Sequence, residues 1–356
     1  CGVIATLFEK APSELDGAFF TGEPAHISLR DLPMRLGLFL LCLSAATPAW
    51  ARDPVLSVPL NCTLGMDCYI QNYVDADPGA GAADFTCGTL SYDGHTGTDF
   101  ALPTIKDMWN GIEVLAAAPG TVTATRDGMD DHPQGVEGAP DVSGKECGNG
   151  VVVDHGGGWN TQYCHMMNGS IQVEKGQRVT AATVLGTVGL SGQTQFPHVH
   201  LAVRHNGTVI DPFNPDGVIS CGIEAISNGT LWNEDMRYVP GGLLAIGVSP
   251  EMPEYESVKA GTAGTGQFST SDPALVVFGL AYGGLAGDIM RLSISGPEGE
   301  IVGYDAPVEK TQAQLFRGAG KRSPGAWQPG GYRASVQLIR NGHTLDERQF
   351  DFTVIE

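Results

Sequence analysis

Short runs of apolar and β-branched residues, separated by Gly, Pro or Asn, recur through residues 85–222. They fall into three pairs: 112–117 with 121–125, 151–154 with 161–165, and 184–188 with 198–203. Val, Ile, Thr and Tyr favour strands, and turn residues between two such runs are typical of hairpins. The pattern therefore predicts three β-hairpins and very little helix.

A second series of apolar runs begins after residue 241 and recurs about every ten residues. Its predicted strands are 243–248, 274–281, 290–295, 301–304, 332–339 and 350–355. This spacing is typical of a β-sandwich, and an immunoglobulin-like one fits best. Trp327 and Tyr332 are the candidates for a sugar-stacking face here, although aromatic residues in such strands are more often core. The fold class is thus all-β: an antiparallel β-sheet domain followed by an immunoglobulin-like β-sandwich.

Residues 34–51 have the layout of a secretory signal peptide. Arg35 precedes an apolar run over 36–43, and the small residues Ala49 and Ala51 provide a cleavage site. Leu41 is too bulky for a lipid-attachment box before Cys42, so we expect soluble export without a membrane anchor. Residues 1–33 lack clear periodicity and are treated as an upstream segment, not part of the mature protein.

The remaining chain divides by composition into four parts. We predict a lead-in over 52–84, rich in Pro, Gly, Asn and Asp, and a first domain over 85–222. A linker over 223–240 and the sandwich over 241–356 follow. The acidic, Gly- and Pro-rich stretch 126–149 interrupts the first domain and is predicted to be a surface loop.

Net charge and cysteine usage narrow the function classes. The chain carries 20 basic and 40 acidic residues, and 17 against 35 remain without residues 1–51, a formal charge of −18. Such an excess excludes binding of nucleic acid or anionic lipid by bulk electrostatics. Six cysteines remain in that part, an even number that suggests disulfides in an exported chain. A cysteine-rich metal site would compete, but no CxxC spacing supports it.

Loop length suggests a pairing of these cysteines. Cys62 and Cys68 close a short loop, and Cys147 and Cys164 flank a predicted hairpin. Cys87 and Cys221 remain as the third pair. Fifteen pairings are possible for six cysteines, so this one is an expectation.

Chemistry-bearing residues concentrate in three short motifs of the first domain. The motif at 94–99 contains His95 and Asp99, four positions apart. In a straight strand this separation is about 13 Å, whereas two ligands of one tetrahedral zinc lie about 3 to 4 Å apart. The chain must therefore bend between them, and Gly94 and Gly97 are where bending costs least.

The other two motifs contribute three histidines. His198 and His200 alternate along a predicted strand, so both imidazoles lie on one face, about 6 to 7 Å apart. One can bind a metal while the other overhangs its open position, but spacing does not say which. His165 ends another strand and, as a neutral imidazole, is suited to general acid/base chemistry.

From about Cys87 to Pro215, the order and spacing of these motifs resemble the lysostaphin-like, or LytM-type, zinc endopeptidases. The blocks that carry the resemblance are 94–100, 114–122, 162–165, 186–192, 197–201 and the closing Asp-Pro at 211–212. The resemblance implies one Zn²⁺ per chain, held by His95, Asp99 and His200. It also implies that His165 and His198 assist the attacking water and stabilise the transition state.

The resemblance further implies an antiparallel scaffold crossed by a groove, with bacterial peptidoglycan peptides as substrate. We therefore expect a periplasmic or secreted zinc metalloendopeptidase. The alternative is a non-catalytic regulator or wall-binding protein that activates another cell-wall hydrolase, although all five site positions are retained. A secreted protease acting on Gly-rich proteins is a third possibility. The sequence does not specify the oligomeric state.

Overall fold

The computed structural model describes residues 53–218, 221 and 229–356. The predicted upstream segment and signal peptide lie outside the described residues, as do positions 222–228 around the start of the predicted linker. The described residues contain only two short helices, α1 (Ile105–Met108) and α2 (Tyr255–Ala260), which confirms the all-β prediction. Neither helix is long and apolar enough to span a bilayer.

Ten strands precede residue 241 in the part of the chain that the structure describes. They are β1 Tyr69–Asn72, β2 Thr98–Ala101, β3 Glu113–Leu115, β4 Gly120–Arg126, β5 Asn149–Gly156, β6 Trp159–Met166, β7 Arg178–Val179, β8 Val184–Thr187, β9 His198–His205 and β10 Thr208–Ile210. Eight form one sheet in the order β1-β2-β9-β6-β5-β4-β7, with β10 beside β9. Every neighbouring pair in it is antiparallel.

Strand pairing departs from the predicted hairpins in two of three cases. β5 and β6 pair as predicted. β3 pairs with β8 in a separate two-stranded sheet instead of with β4, and β9 lies between β2 and β6. Turn residues mark where the chain reverses, whereas partner choice follows burial: Val114 of β3 and Leu185 of β8 are both fully buried.

The lead-in is more than a connecting segment, because β1 is the edge strand of the main sheet. All four of its residues are buried. The run Tyr-Ile-Gln-Asn has no alternation of apolar and polar residues, so no strand was predicted there. The acidic stretch between β4 and β5 contains no helix or strand, as predicted.

Eight strands follow residue 241. They are β11 Gly242–Ser249, β12 Gln267–Ser269, β13 Ala274–Gly284, β14 Ile289–Gly296, β15 Gly299–Pro307, β16 Gln312–Arg322, β17 Gly330–Arg340 and β18 His343–Ile355. They form a three-stranded sheet, β11-β13-β16, and a five-stranded sheet, β12-β18-β17-β14-β15. Residues of both sheets fill one apolar core that includes Trp327 and Tyr332, so these aromatic residues are core and not a sugar-stacking face. The immunoglobulin-like topology stays a prediction.

The three-stranded sheet packs on β1. Tyr282 of β13 lies against Tyr69 of β1, with ring centroids 4.5 Å apart. The Gln71 amide nitrogen donates to the Ala313 carbonyl at 3.2 Å, and the Gln314 amide donates to the Tyr69 hydroxyl at 3.1 Å. The sandwich thereby borders the edge of the main sheet that carries the candidate site. The predicted domain limits themselves stay predictions.

All three expected disulfides are formed. They join Cys62 with Cys68, Cys87 with Cys221, and Cys147 with Cys164. The last of these ties the end of the acidic loop to β6, one residue before His165.

Candidate metal centre

The register of the main sheet puts the candidate residues in one row. Asp99 on β2 pairs with Asn72 on β1 and with His200 on β9, and His200 pairs with Cys164 on β6. Directly opposed residues in antiparallel strands have Cβ atoms about 4.5 to 5.5 Å apart. Strand order therefore brings side chains more than 100 positions apart in sequence into contact.

His95 reaches this row from the turn before β2. Gly94, the residue before His95, has φ of +75°, which glycine adopts without a Cβ penalty, so the chain turns immediately before His95. Gly97 has a different function: a Cβ at this position would lie 2.6 Å from His200 Nε2. Gly97 is therefore required for space beside the His200 ring.

Three ligand-type atoms converge in the row. His95 Nε2 lies 3.1 Å from Asp99 Oδ1 and 3.1 Å from His200 Nδ1, and His200 Nδ1 lies 2.9 Å from Asp99 Oδ1. His95 and Asp99 are buried, and the His200 side chain is 15% exposed. These separations are at the short end of those expected between ligands of one tetrahedral zinc.

The hydrogen bonds around this cluster suit a cation. His95 Nδ1 lies 2.7 Å from the Tyr73 carbonyl, which can only accept, so Nδ1 carries the proton and Nε2 offers a lone pair. The Asn72 amide donates to Asp99 Oδ2 at 2.9 Å, which leaves Oδ1 for the cluster. Cys62, Asp67 and Cys68 also lie within ligand distance of one another, but both thiols are used in a disulfide.

His165 and His198 form a second pair beside the cluster, with ring centroids 4.7 Å apart. His165 Nδ1 donates to the Ser191 carbonyl at 2.8 Å, and His198 Nδ1 donates to the Phe196 carbonyl at 2.9 Å. Each ring therefore has an unprotonated Nε2 when neutral. His198 Nε2 lies 3.5 Å from Asp99 Oδ1, so it faces the cluster.

The backbone at His165 is in the left-handed region, with φ of +63°. This conformation is uncommon for a residue with a side chain and requires support from its surroundings. The His165 N–H donates to the Cys147 carbonyl at 2.8 Å, and Cys147 is bonded to the preceding residue, Cys164. The disulfide and this hydrogen bond hold the strained residue in place.

Burial and neighbouring charges shift the pKa values of Asp99 and His165. Burial disfavours the charged form of Asp99, but His198, His95 and His200 outweigh it and hold the pKa of that carboxyl well below its usual range. Burial lowers the pKa of His165 far below that of a free imidazole, and nearby His198 and His200 lower it further. The site thus pairs an ionised carboxylate with a neutral imidazole.

A cavity of about 550 Å³ opens in front of the site. Asp99, His165 and His198 line its floor. Tyr92 lies on one side, and Thr311 to Ala313 of the sandwich lie on another. The cavity leads to the histidine pair.

The structure therefore brings together all five residues singled out from the sequence. Other histidines have separate contacts: His155 bonds to the Pro119 carbonyl and to Thr161, and the His205 ring stacks on Trp159. Sequence reasoning missed Asn72, whose strand lies in the lead-in. It also missed the three carbonyls that orient the rings, because a backbone carbonyl has no residue-specific signal.

Residues 93–212 match the model of peptidase family M23. The chain is 34% identical over 117 residues to the peptidoglycan DD-endopeptidase ShyA of Vibrio cholerae serotype O1. It is 30% identical over 118 residues to the DD-carboxypeptidase/endopeptidase Mpg of Neisseria meningitidis serogroup B. Each alignment spans 33% of this chain and 22% of the relative, about a fifth of its length.

Among solved structures, a point mutant of the catalytic domain of the prophage-encoded M23 protein EnpA from Enterococcus faecalis aligns with 43% of this chain and 93% of that one. The sequence identity is 25% and the TM-score is 0.29.

Proposed function

We propose that the chain is an exported bacterial zinc metalloendopeptidase that hydrolyses peptide bonds in peptidoglycan. The observation that carries the proposal is the convergence of three lone-pair atoms within 3.1 Å of one another, beside two imidazoles whose Nδ1 protons are fixed by carbonyls. His95, Asp99 and His200 would hold one Zn²⁺.

A bound zinc ion would polarise the scissile carbonyl and lower the pKa of a water molecule toward neutrality. The chain's own residues supply the proton transfers. His165 is kept neutral by burial, so its Nε2 can accept a proton from the attacking water. His198 faces the same space. Once His165 has accepted the proton, a hydrogen bond from the resulting imidazolium can stabilise the negative charge that develops on the substrate oxygen.

Three observations support the substrate and the compartment. The family match covers the site, and both curated relatives are named for endopeptidase activity. Three disulfides favour an oxidising compartment, hence a periplasmic or secreted protein. Since the chain spans only a fifth of those relatives, the peptidoglycan substrate belongs to the proposal.

Incubation of the purified chain with sacculi tests the proposal. New amino groups should be released, a chelator should abolish the release, and added zinc should restore it. A chain that binds sacculi and takes up zinc without releasing amino groups would instead be a regulator of another hydrolase.

A further inference from the structure

A second cavity, of about 420 Å³, continues from the first along the sandwich. Both cavities share Gln71, Asn72, Gln195, Phe196 and residues 311–313. The second adds Gln314 and three residues that the sequence analysis did not connect with the site: Tyr255, Lys259 and Lys310. We refer to this second cavity as the sandwich groove.

The junction that builds this groove is fixed by hydrogen bonds. Gln71 donates to the Ala313 carbonyl, and its side-chain oxygen accepts from the Tyr69 hydroxyl at 3.1 Å and from the Gln314 amide at 3.3 Å. Since Gln71 precedes Asn72, whose amide contacts Asp99, the bonds that hold the sandwich lie one residue from the candidate site. The groove is therefore a continuation of that site.

The charge of the sandwich groove is opposite to that of the chain as a whole. The formal net charge is −20, yet the charged side chains lining the groove are two lysines, and the described residues contribute no Asp or Glu to its lining. The remaining lining consists of amides, Thr311, Ala313 and two aromatic rings. Neutral amides suit a peptide backbone, whereas the lysines suit an anion.

The Lys259 side chain is oriented by its neighbours. It is 23% exposed, its ammonium lies 4.9 Å from the centre of the Tyr255 ring, and it contacts Glu256 Oε1 at 2.9 Å. Glu256 is 70% exposed, and such exposed ion pairs contribute little free energy, so a ligand carboxylate can compete for the ammonium. Lys310 lies in the connection between β15 and β16 and is exposed.

We propose that the sandwich groove is a carboxylate subsite of the enzyme: Lys259 and Lys310 bind a free carboxylate of the peptide whose scissile bond lies at His165 and His198. This inference rests on the proposed function and assigns the sandwich a role in selecting substrate. The preferred peptides carry a free carboxylate on the side of the scissile bond that extends toward the sandwich.

Native sacculi and sacculi whose carboxylates have been converted to primary amides test the subsite. The zinc-loaded chain should release amino groups about fivefold faster from native sacculi, which corresponds to about 1 kcal/mol and lies within what two exposed charge pairs contribute. The double variant Lys259→Gln with Lys310→Gln should release amino groups at the same rate from both preparations. High salt should remove the preference of the unaltered chain.

Lys321→Gln is the matched control, because Lys321 is exposed and lies on β16, nine residues or about 30 Å of strand from Gln312. It should retain the preference. A double variant that keeps the preference, or that loses activity equally on both preparations, would overturn the subsite.

Co-sedimentation of the chelated chain with both preparations separates this inference from the proposed function. Preferential binding to native sacculi that is lost in the double variant supports the subsite even if no amino groups are released, in which case the enzymatic proposal fails. Release of amino groups without any preference in rate or binding leaves the enzyme proposal standing and refutes the subsite.

Discussion

The four histidines of the site fall into two groups that differ in what surrounds their nitrogens. His95 and His200 point a nitrogen at Asp99 and at each other, at 2.9 to 3.1 Å. His165 and His198 stand beside this cluster, and His198 Nε2 lies 3.5 Å from the same carboxylate. Nδ1 of both rings is bonded to a carbonyl, as is Nδ1 of His95, so the groups differ in what faces the other ring nitrogen.

This difference shows how one residue type supports two chemistries. Next to a carboxylate held ionised, an imidazole lone pair contributes to a cation site. Burial and the neighbouring His198 and His200 keep the His165 ring neutral, so that ring can exchange a proton. Four predictions test the division, from the largest effect to the smallest.

The first prediction concerns the cluster. Asp99→Ala and His200→Ala should each lose zinc and reduce peptide hydrolysis to background, because two ligands alone hold the ion weakly. Metal quantification on the purified variants measures this directly. Full zinc occupancy in Asp99→Ala would refute its assignment as a ligand.

The second prediction concerns the pair. His165→Ala and His198→Ala should keep zinc and lower kcat by about 10² to 10⁴-fold, the usual contribution of general acid/base catalysis. His343→Ala, an exposed histidine at the start of β18, should change neither quantity. Loss of zinc from His165→Ala or His198→Ala would contradict the proposal that these two histidines are not zinc ligands.

The third prediction concerns Asn72, which bonds the outer oxygen of Asp99. Asn72→Ala should weaken zinc binding or activity by about 10- to 100-fold, as is typical when a partner that orients a ligand is removed. Titration with a competing chelator gives the affinity. The exposed Asn110→Ala serves as control, and equal affinities for both variants would argue against an orienting role.

The fourth prediction concerns the disulfide next to His165. Replacing Cys147 and Cys164 by Ala should lower kcat by about tenfold with zinc retained, because a small displacement of a reacting group is costly. The free energy of unfolding should fall by about 3 kcal/mol for a loop of this length.

Cys62→Ala with Cys68→Ala is the control for that variant, since the loop that this pair closes contains none of the five site residues. It should reduce stability and leave kcat unchanged. An equal fall in kcat for both double variants would mean that the first disulfide has no specific effect on His165.

Part of this structure could be predicted from the sequence because its signals are local. The alternation at His198 and His200 correctly placed both rings on one face, and the separation of His95 and Asp99 correctly required a bend between them, since their ligand atoms lie 3.1 Å apart. The all-β class followed from composition and turn residues in the same way.

Other features depend on contacts between distant segments. The sequence does not predict β16, because its eleven residues include two glycines and no β-branched residue and therefore carry a weak strand signal. The pairings of β3 and β9 follow from burial and not from the nearest turn. The sandwich packs on β1 and so extends the groove, but neither segment has a sequence pattern of its own that predicts this contact.

An X-ray absorption spectrum at the zinc edge, combined with the anomalous signal of a zinc-loaded crystal, tests the central claim most directly. The account predicts one ion at about 2.0 to 2.2 Å from His95 Nε2, Asp99 Oδ1 and His200 Nδ1, with His165 and His198 outside bonding distance. An ion bonded to His165 or His198 in place of one of those three would contradict it.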